Sequence, residues 1–188
     1  MARLSVFNTV SLDGYFTDAA NDMSWAHADS NDAEWNAFVQ GNASSGNSTL
    51  VYGRVTYEMM AGYWPSPMAA KAMPELAQRM NGLPKIVFSN SLVNATWANT
   101  TLIGGEAVEQ MAEMKSGAGP NMTILGSGKL IASFAQAGLI DAYQLVVKPV
   151  VLGRGRTIFE GVTGRPTFAP TASRTFGNGN VLLTYMIG

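Results

Sequence analysis

Apolar and polar residues alternate over residues 4–10, the two-residue period of a half-buried strand, and Ser11-Leu12-Asp13-Gly14 then turns the chain. Residues 15–30 are polar and Asp-rich, with Trp25 the one large apolar anchor, which predicts a long loop. Trp35, Phe38 and Val39 recur at helical spacing and predict a helix over 31–44. A short apolar strand follows over 49–53, with a helix over 54–61 behind it. Beyond the bend Trp64-Pro65-Ser66-Pro67 the pattern predicts a helix over 71–81, strands over 85–89 and 100–103, and a helix over 106–115. Residues 121–125 form another apolar strand, which ends in Gly126-Ser127-Gly128 and opens a helix to about 137. Residues 141–152 read as one long strand. Residues 167–187 read as two, joined at Gly177-Asn178-Gly179-Asn180, a hairpin signal.

Strands and helices thus alternate through the middle and a β-hairpin closes the chain. That order predicts an α/β fold: a mostly parallel central sheet, helices on both faces, and antiparallel strands at one edge. At 188 residues, with no linker or repeat, the whole of 1–188 is expected to form a single domain.

Composition narrows the chemistry. A charged share of 13% against 47% hydrophobic argues against long disorder and hints at surface hidden in an oligomer. The formal net charge of -1 leaves no electrostatic footprint for a nucleic acid. Without cysteine and with one histidine, His27, neither a thiolate nor a His-rich metal site can be built, and no metal is expected. The N-terminus has no signal-peptide core, and no apolar run approaches the roughly 20 residues of a membrane helix. A cytoplasmic protein is therefore expected. The Asn-x-Ser/Thr triplets at Asn42, Asn47, Asn94, Asn99 and Asn121 then carry no glycosylation.

Two stretches could carry chemistry. In "TLVYGRVTYEMM" a buried strand stops at Gly53, and Arg54 and Thr56 fall in the first turn of a helix. A helix N-terminus presents unpaired N–H groups and partial positive charge, so it attracts phosphate. Arg54 could add a guanidinium fork and Thr56 a hydroxyl, or both could be ordinary first-turn residues. "TILGSGKLIASF" repeats the strand–glycine–helix turn at Gly126, Ser127 and Gly128, although Ile131 stands where a dinucleotide fingerprint has its third glycine. Two such turns suit a ligand with two separated phosphates. Ser89 and Asn90 follow a strand in "IVFSNSL", as a ribose contact or as plain turn formers.

"LVYGRVTYE" and "TILGSGKLI" resemble the Gly-Arg-x-Thr-aromatic-Glu motif and the glycine-rich turn of dihydrofolate reductases. "SLDG" and "QAGLIDAYQLVVKPVVLGRG" are more similar to the reductase domain of the bifunctional riboflavin-biosynthesis deaminase-reductase and its stand-alone relatives. The resemblance covers nearly the whole chain, with four motifs in order. It implies a dihydrofolate-reductase-like three-layer α/β/α fold, NADPH as hydride donor, a small-molecule substrate and a homodimer paired through sheet edges, for which 141–152 is the candidate strand. It implies that Arg54 meets the 2′-phosphate and that Gly53 and Thr56 lie at the pyrophosphate. It further implies Ser89 and Asn90 near the adenosine, and Gly126, Ser127, Gly128, Lys129 and Leu130 around the pyrophosphate and nicotinamide ribose. Trp25 stands at the spacing of a cofactor-contacting tryptophan, or it is a plug for its loop. Family members often hold the glycine turn in a cis peptide, here Gly126-Ser127.

The chain also departs from the family. The deaminase's zinc ligands are missing, so only the reductase half is expected here. Leu125 stands where the riboflavin branch has an acidic substrate contact, and no basic grip for a ribityl phosphate is evident. Asp32, three residues before Trp35, matches the carboxylate that protonates a pterin; alternatively 31–34 is a capping box with Glu34 folded back. Asp13 could orient substrate or brace its own turn. Tyr57 and Trp64 could line a planar substrate's pocket, or pack.

Overall fold

A computed structural model describes residues 1–27, 32–44 and 48–187. The loop end at Ser30, the helix start at Asn31, the Asn47 triplet and the side chain of His27 lie outside the described residues. The strands are β1 (Leu4–Ser11), β2 (Thr17–Asp18), β3 (Thr49–Gly53), β4 (Lys85–Phe88), β5 (Thr100–Ile103), β6 (Met122–Leu125), β7 (Ala142–Lys148), β8 (Gly155–Arg156), β9 (Phe168–Thr175) and β10 (Val181–Ile187). The helices are α1 (Ala33–Ser44), α2 (Arg54–Tyr63), α3 (Pro67–Ala72), α4 (Pro74–Gly82), α5 (Ala107–Ser116) and α6 (Gly128–Gln136).

Eight strands form one sheet in the order β5-β4-β3-β6-β1-β7-β10-β9. The first six run parallel, and β10 and β9 are antiparallel. β3 is apolar through most of its length because both faces are covered, as a parallel sheet between helices requires. Val51, Leu4, Val6 and Ile124 pack with Met111 of α5 and with Leu130, Ile131 and Phe134 of α6. From the opposite face Leu50, Tyr52 and Val87 meet Tyr57 of α2 and Leu76 and Met80 of α4. Beside them Phe7, Val146 and Leu182 meet Trp35 and Phe38 of α1. The result is three layers around a mostly parallel sheet.

Three details differ from the expected pattern. The helix over 71–81 is two, because Pro74 lacks an N–H and forces Met73 to φ -143 and ψ 70. The loop over 15–30 contains β2, which pairs with β8, and a 3-10 turn, Ser24–His27. Residues 141–152 do not make an edge strand: β7 stops at Lys148, before Pro149, and is hydrogen-bonded to β1 on one side and β10 on the other. The free edges belong to β5 and β9.

Candidate functional site

Parallel neighbours end on the same side of a sheet, so β3 and β6 bring their glycine turns together. The turns are bonded to each other. Gly53 N–H donates to Ser127 Oγ at 2.9 Å, and Ser127 N–H donates to Thr56 Oγ1 at 3.0 Å. Ser127 Oγ in turn donates to the Leu125 carbonyl at 3.1 Å. Gly126 and Ser127 both sit at φ 58, the left-handed region. For Ser127 that conformation costs about 1–2 kcal/mol, which three hydrogen bonds of about 0.5–1.5 kcal/mol each offset. The described peptide bonds are all trans, Gly126-Ser127 included, so paired left-handed residues make the turn in place of the cis bond that the resemblance implied.

Close approach explains the glycines. A Cβ on Gly126 would stand 2.9 Å from Thr56 Cγ2, and one on Gly128 would stand 2.5 Å from the Phe16 ring. Gly53 has ordinary extended φ; its bareness admits Leu130, 3.3 Å from where a Cβ would be. Neither α2 nor α6 has a side-chain cap, so both helix N-termini lie at this end of the sheet with their first-turn amides unspent.

Arg54, in the first turn of α2, stands 43% exposed and is bonded to Glu58 one turn on at 2.9 Å. Lys129 is exposed, whereas Leu130 is buried in the core and offers only backbone. Ser89 accepts from Leu92 N–H at 2.9 Å, and Asn90 Oδ1 accepts from Gly105 N–H at 2.6 Å, tying the ends of β4 and β5 together. Both lie at the same sheet end as the glycine turns, each with a structural bond of its own. The indole N–H of half-buried Trp25 is buried without an acceptor.

The two carboxylates also have structural duties. Asp32 Oδ1 accepts from Trp35 N–H at 2.9 Å, capping α1, and its Oδ2 accepts from Asn178 N–H in the β9–β10 turn at 2.8 Å. The Trp35 amide, then the Asn178 amide, hold its carboxyl below the ordinary value. Glu34 does not fold back; it pairs with Arg174 of β9 at 2.6 Å. Asp13 accepts from Ser11 Oγ at 2.6 Å and from the N–H groups of Leu152 and Gly153. The Ser11 hydroxyl is the main cause of its lowered pKa, with the Gly153 and Leu152 amides after it. Asp13 thus braces the joint between the β1 and β7 ends.

The structure corrects the placement of two aromatic residues. Tyr57 is 3% exposed, and its hydroxyl accepts from Trp97 N–H at 2.9 Å, so it is core rather than pocket wall. Trp64 lies at the far end of α2, where its carbonyl accepts from Asn81 Nδ2. The Asn81 carbonyl in turn receives Lys85 Nζ at the start of β4, the opposite sheet end from the glycine turns.

Other residues at the site carried no signal in the sequence reading. Asn8 is buried in β1, where the alternation calls for an apolar residue, and its Nδ2 reaches the Gly126 carbonyl at 3.5 Å. Ser11, Lys148 and Asn180 are three buried polar residues at the same end of the sheet.

A family model described as the RibD C-terminal domain matches residues 2–182. The chain belongs to this family. Membership brings a reductase-domain ancestry, with a nicotinamide cofactor as the family's redox partner. The RibD-type chain is similar to the uncharacterized protein YyaP of Bacillus subtilis (strain 168), 27% identical over 183 residues, 97% of this chain and 94% of YyaP. It is similar also to YwjB of the same organism, likewise uncharacterized, at 26% identity over 186 residues, 94% of each. A Shewanella sp. PV-4 structure named for riboflavin biosynthesis superposes with a TM-score of 0.77 at 24% identity, covering 100% of this chain and 99% of its own. The deaminase/5-amino-6-(5-phosphoribosylamino)uracil reductase of Thermotoga maritima superposes with a TM-score of 0.67 at 15% identity, over 100% of this chain and 57% of that one. These likenesses establish the dihydrofolate-reductase-like fold. Among the described residues no helix is long and apolar enough to cross a membrane.

Proposed function

We propose that this chain is a cytoplasmic, NADPH-dependent reductase that transfers hydride to a small heteroaromatic substrate, pterin-like or pyrimidine-like. The observation that carries the reading is the pair of glycine turns, cross-bonded through Ser127 and Thr56, with two uncapped helix N-termini and Arg54 in the first turn of α2. Such a cradle fits a dinucleotide: fixed amides for the pyrophosphate, and a guanidinium for one more phosphate. In this reading Gly126, Ser127, Gly128 and Lys129 surround the pyrophosphate and ribose, while Trp25, Ser89 and Asn90 contact the remainder of the cofactor. Arg54 can turn to a phosphate at small cost. Its exposed pair with Glu58 is worth about 0.3–0.5 kcal/mol, against about 1.5–3 kcal/mol for a hydrogen bond to a charged group.

NADPH, when bound, supplies the hydride; the chain supplies position and exclusion of water. The Ser11 hydroxyl and two loop amides on Asp13, and backbone amides on Asp32, keep both ionised and occupied, so in this reading water is the proton source. That same observation favours a second reading, a nucleotide-binding relative without catalysis. Thermal melting with NADPH and with NADH tests the cofactor. A specific ligand at ~100 times its Kd adds about 2.7 kcal/mol of stability. NADPH should raise the melting temperature more than NADH does, and Arg54→Ala should erase the difference; equal shifts in the wild type remove Arg54 from the site. Oxidation of NADPH against pterins, flavins and aminopyrimidines then separates enzyme from binder, since silence with NADPH bound selects the second reading.

A further inference from the structure

β6 and β1 are neighbours in the sheet, but the chain leaves them for opposite faces: β1 leads toward α1, and β6 into α6. Such a pair leaves a crevice between its carboxyl ends. The register places the gap. β6 ends at Leu125, opposite Phe7, whereas β1 runs on beside β7 to Ser11. Arg3 faces β6 and Leu4 faces the β7 side, since their carbonyls accept from Met122 N–H and Asp141 N–H. By alternation Thr9 faces the β6 side, two residues past the last rung. Its N–H is taken by Asn8 Oδ1 at 2.9 Å. That bond orients the Asn8 amide, so Nδ2 faces the turn and reaches the Gly126 carbonyl at 3.5 Å.

Asn8 is 3% exposed and lies between Val6 and Val10 on the face that packs against α6. Leucine has a similar shape and would fill that place without burying an amide. The core gains little from Asn8: one bond goes to the next residue, the other is at the limit of hydrogen bonding, and among the described residues the second Nδ2 hydrogen has no acceptor. Polar residues kept where the pattern calls for apolar ones concentrate at functional sites. The contacts of Asn8 indicate which site. The Gly126 carbonyl and the Ser127 N–H belong to one rigid peptide plane. Thr56 Oγ1 holds the N–H end at 3.0 Å, and Asn8 holds the carbonyl end. Thr9 and Gly126, on either side of this bridge, are half-buried, so solvent reaches the crevice there.

We infer that Asn8 is a positioning residue of the nucleotide site, spanning the crevice to hold the Gly126-Ser127 peptide and, through it, the amides at the start of α6. The inference rests on the dinucleotide cradle of the reductase reading above. Released at its carbonyl end, the peptide can turn about Gly126, which has no Cβ to oppose it, and the α6 amides lose their aim.

The test compares wild type with Asn8→Leu in three measurements: thermal melting, hydrogen exchange of the Ser127 amide without ligand, and titration with NADPH. Asn8→Leu should melt no lower than wild type, exchange the Ser127 amide about tenfold faster, and bind NADPH about tenfold more weakly. Its preference for NADPH over NADH should match that of wild type, because Arg54 is untouched. Asn8→Asp keeps an acceptor for Thr9 N–H but sets an oxygen against the Gly126 carbonyl, so it should quicken the same exchange. A lower melting temperature for Asn8→Leu makes Asn8 a prop of the fold and overturns the inference. Exchange at Ser127 that stays slow in either variant overturns it too, as does quickened exchange with NADPH affinity unchanged. A wild type that gives no NADPH shift sinks the cofactor reading; quickened exchange in both variants would still uphold Asn8 as the pin of the turn.

Discussion

Ser127 concentrates more of the site than any other side chain, because its hydroxyl and amide join two turns that lie far apart in sequence. Ser127→Ala leaves Gly53 N–H without its acceptor and should lower stability in urea unfolding by about 1–3 kcal/mol. It should also weaken the NADPH melting shift, since the turns lose their relative positions. Arg54→Ala should do the opposite: stability within about 0.5 kcal/mol of wild type, with NADPH affinity reduced. If the two variants lose stability equally, the cross-bond is not what holds the turns. The glycine turns were legible in the sequence because strand, glycine and helix follow one another along the chain. Asn8, Lys148 and Asn180 were not. A lone polar residue in a strand says nothing of which neighbours its register brings, and Lys148 meets Ser11 and Asn180 only through pairing across three strands.

At the level of elements, Asp32 ties the start of α1 to the β9–β10 turn, whereas its place three residues before Trp35 is what likens it to a catalytic carboxylate in the sequence. Asp32→Ala should lower stability through the lost cap, with a further loss from the turn. The pH dependence has a definite sign. Asp13 and Asp32 have carboxyls held below the ordinary value, so between the folded and unfolded pKa the unfolded chain binds more protons. Their stabilisation is complete above about pH 4 and is lost as the pH falls through the folded values. Urea midpoints of wild type and Asp32→Ala should therefore differ at pH 6 and converge near pH 3; a gap of constant size would mean that charge has no part in the cap. The break between α3 and α4 was written in the sequence at Pro74, but helical spacing on both sides conceals it.

For the whole molecule, the alternation of apolar strands with helices was enough for the layers, and the motif order for the fold family. The strand order was not legible, since β6 and β7 each cross other strands before pairing with β1. That error matters for assembly. With β7 inside the sheet, the proposed homodimer needs another edge, and β9 supplies it: Ala169 to Thr175 are all exposed in the single chain, at the end of a sheet poor in charge. An edge so bare invites pairing with another strand unless a partner covers it. Pro170 restrains open-ended strand addition by withholding one N–H, which suits a closed two-fold contact better than a fibre. Light scattering should give twice the chain mass of 20.0 kDa. Ala169→Glu with Ala172→Glu places like charges along the edge and should return the mass to that of one chain, with circular dichroism unchanged. A single-chain mass in the wild type ends the dimer proposal, and a double mass that survives both glutamates moves the contact away from β9.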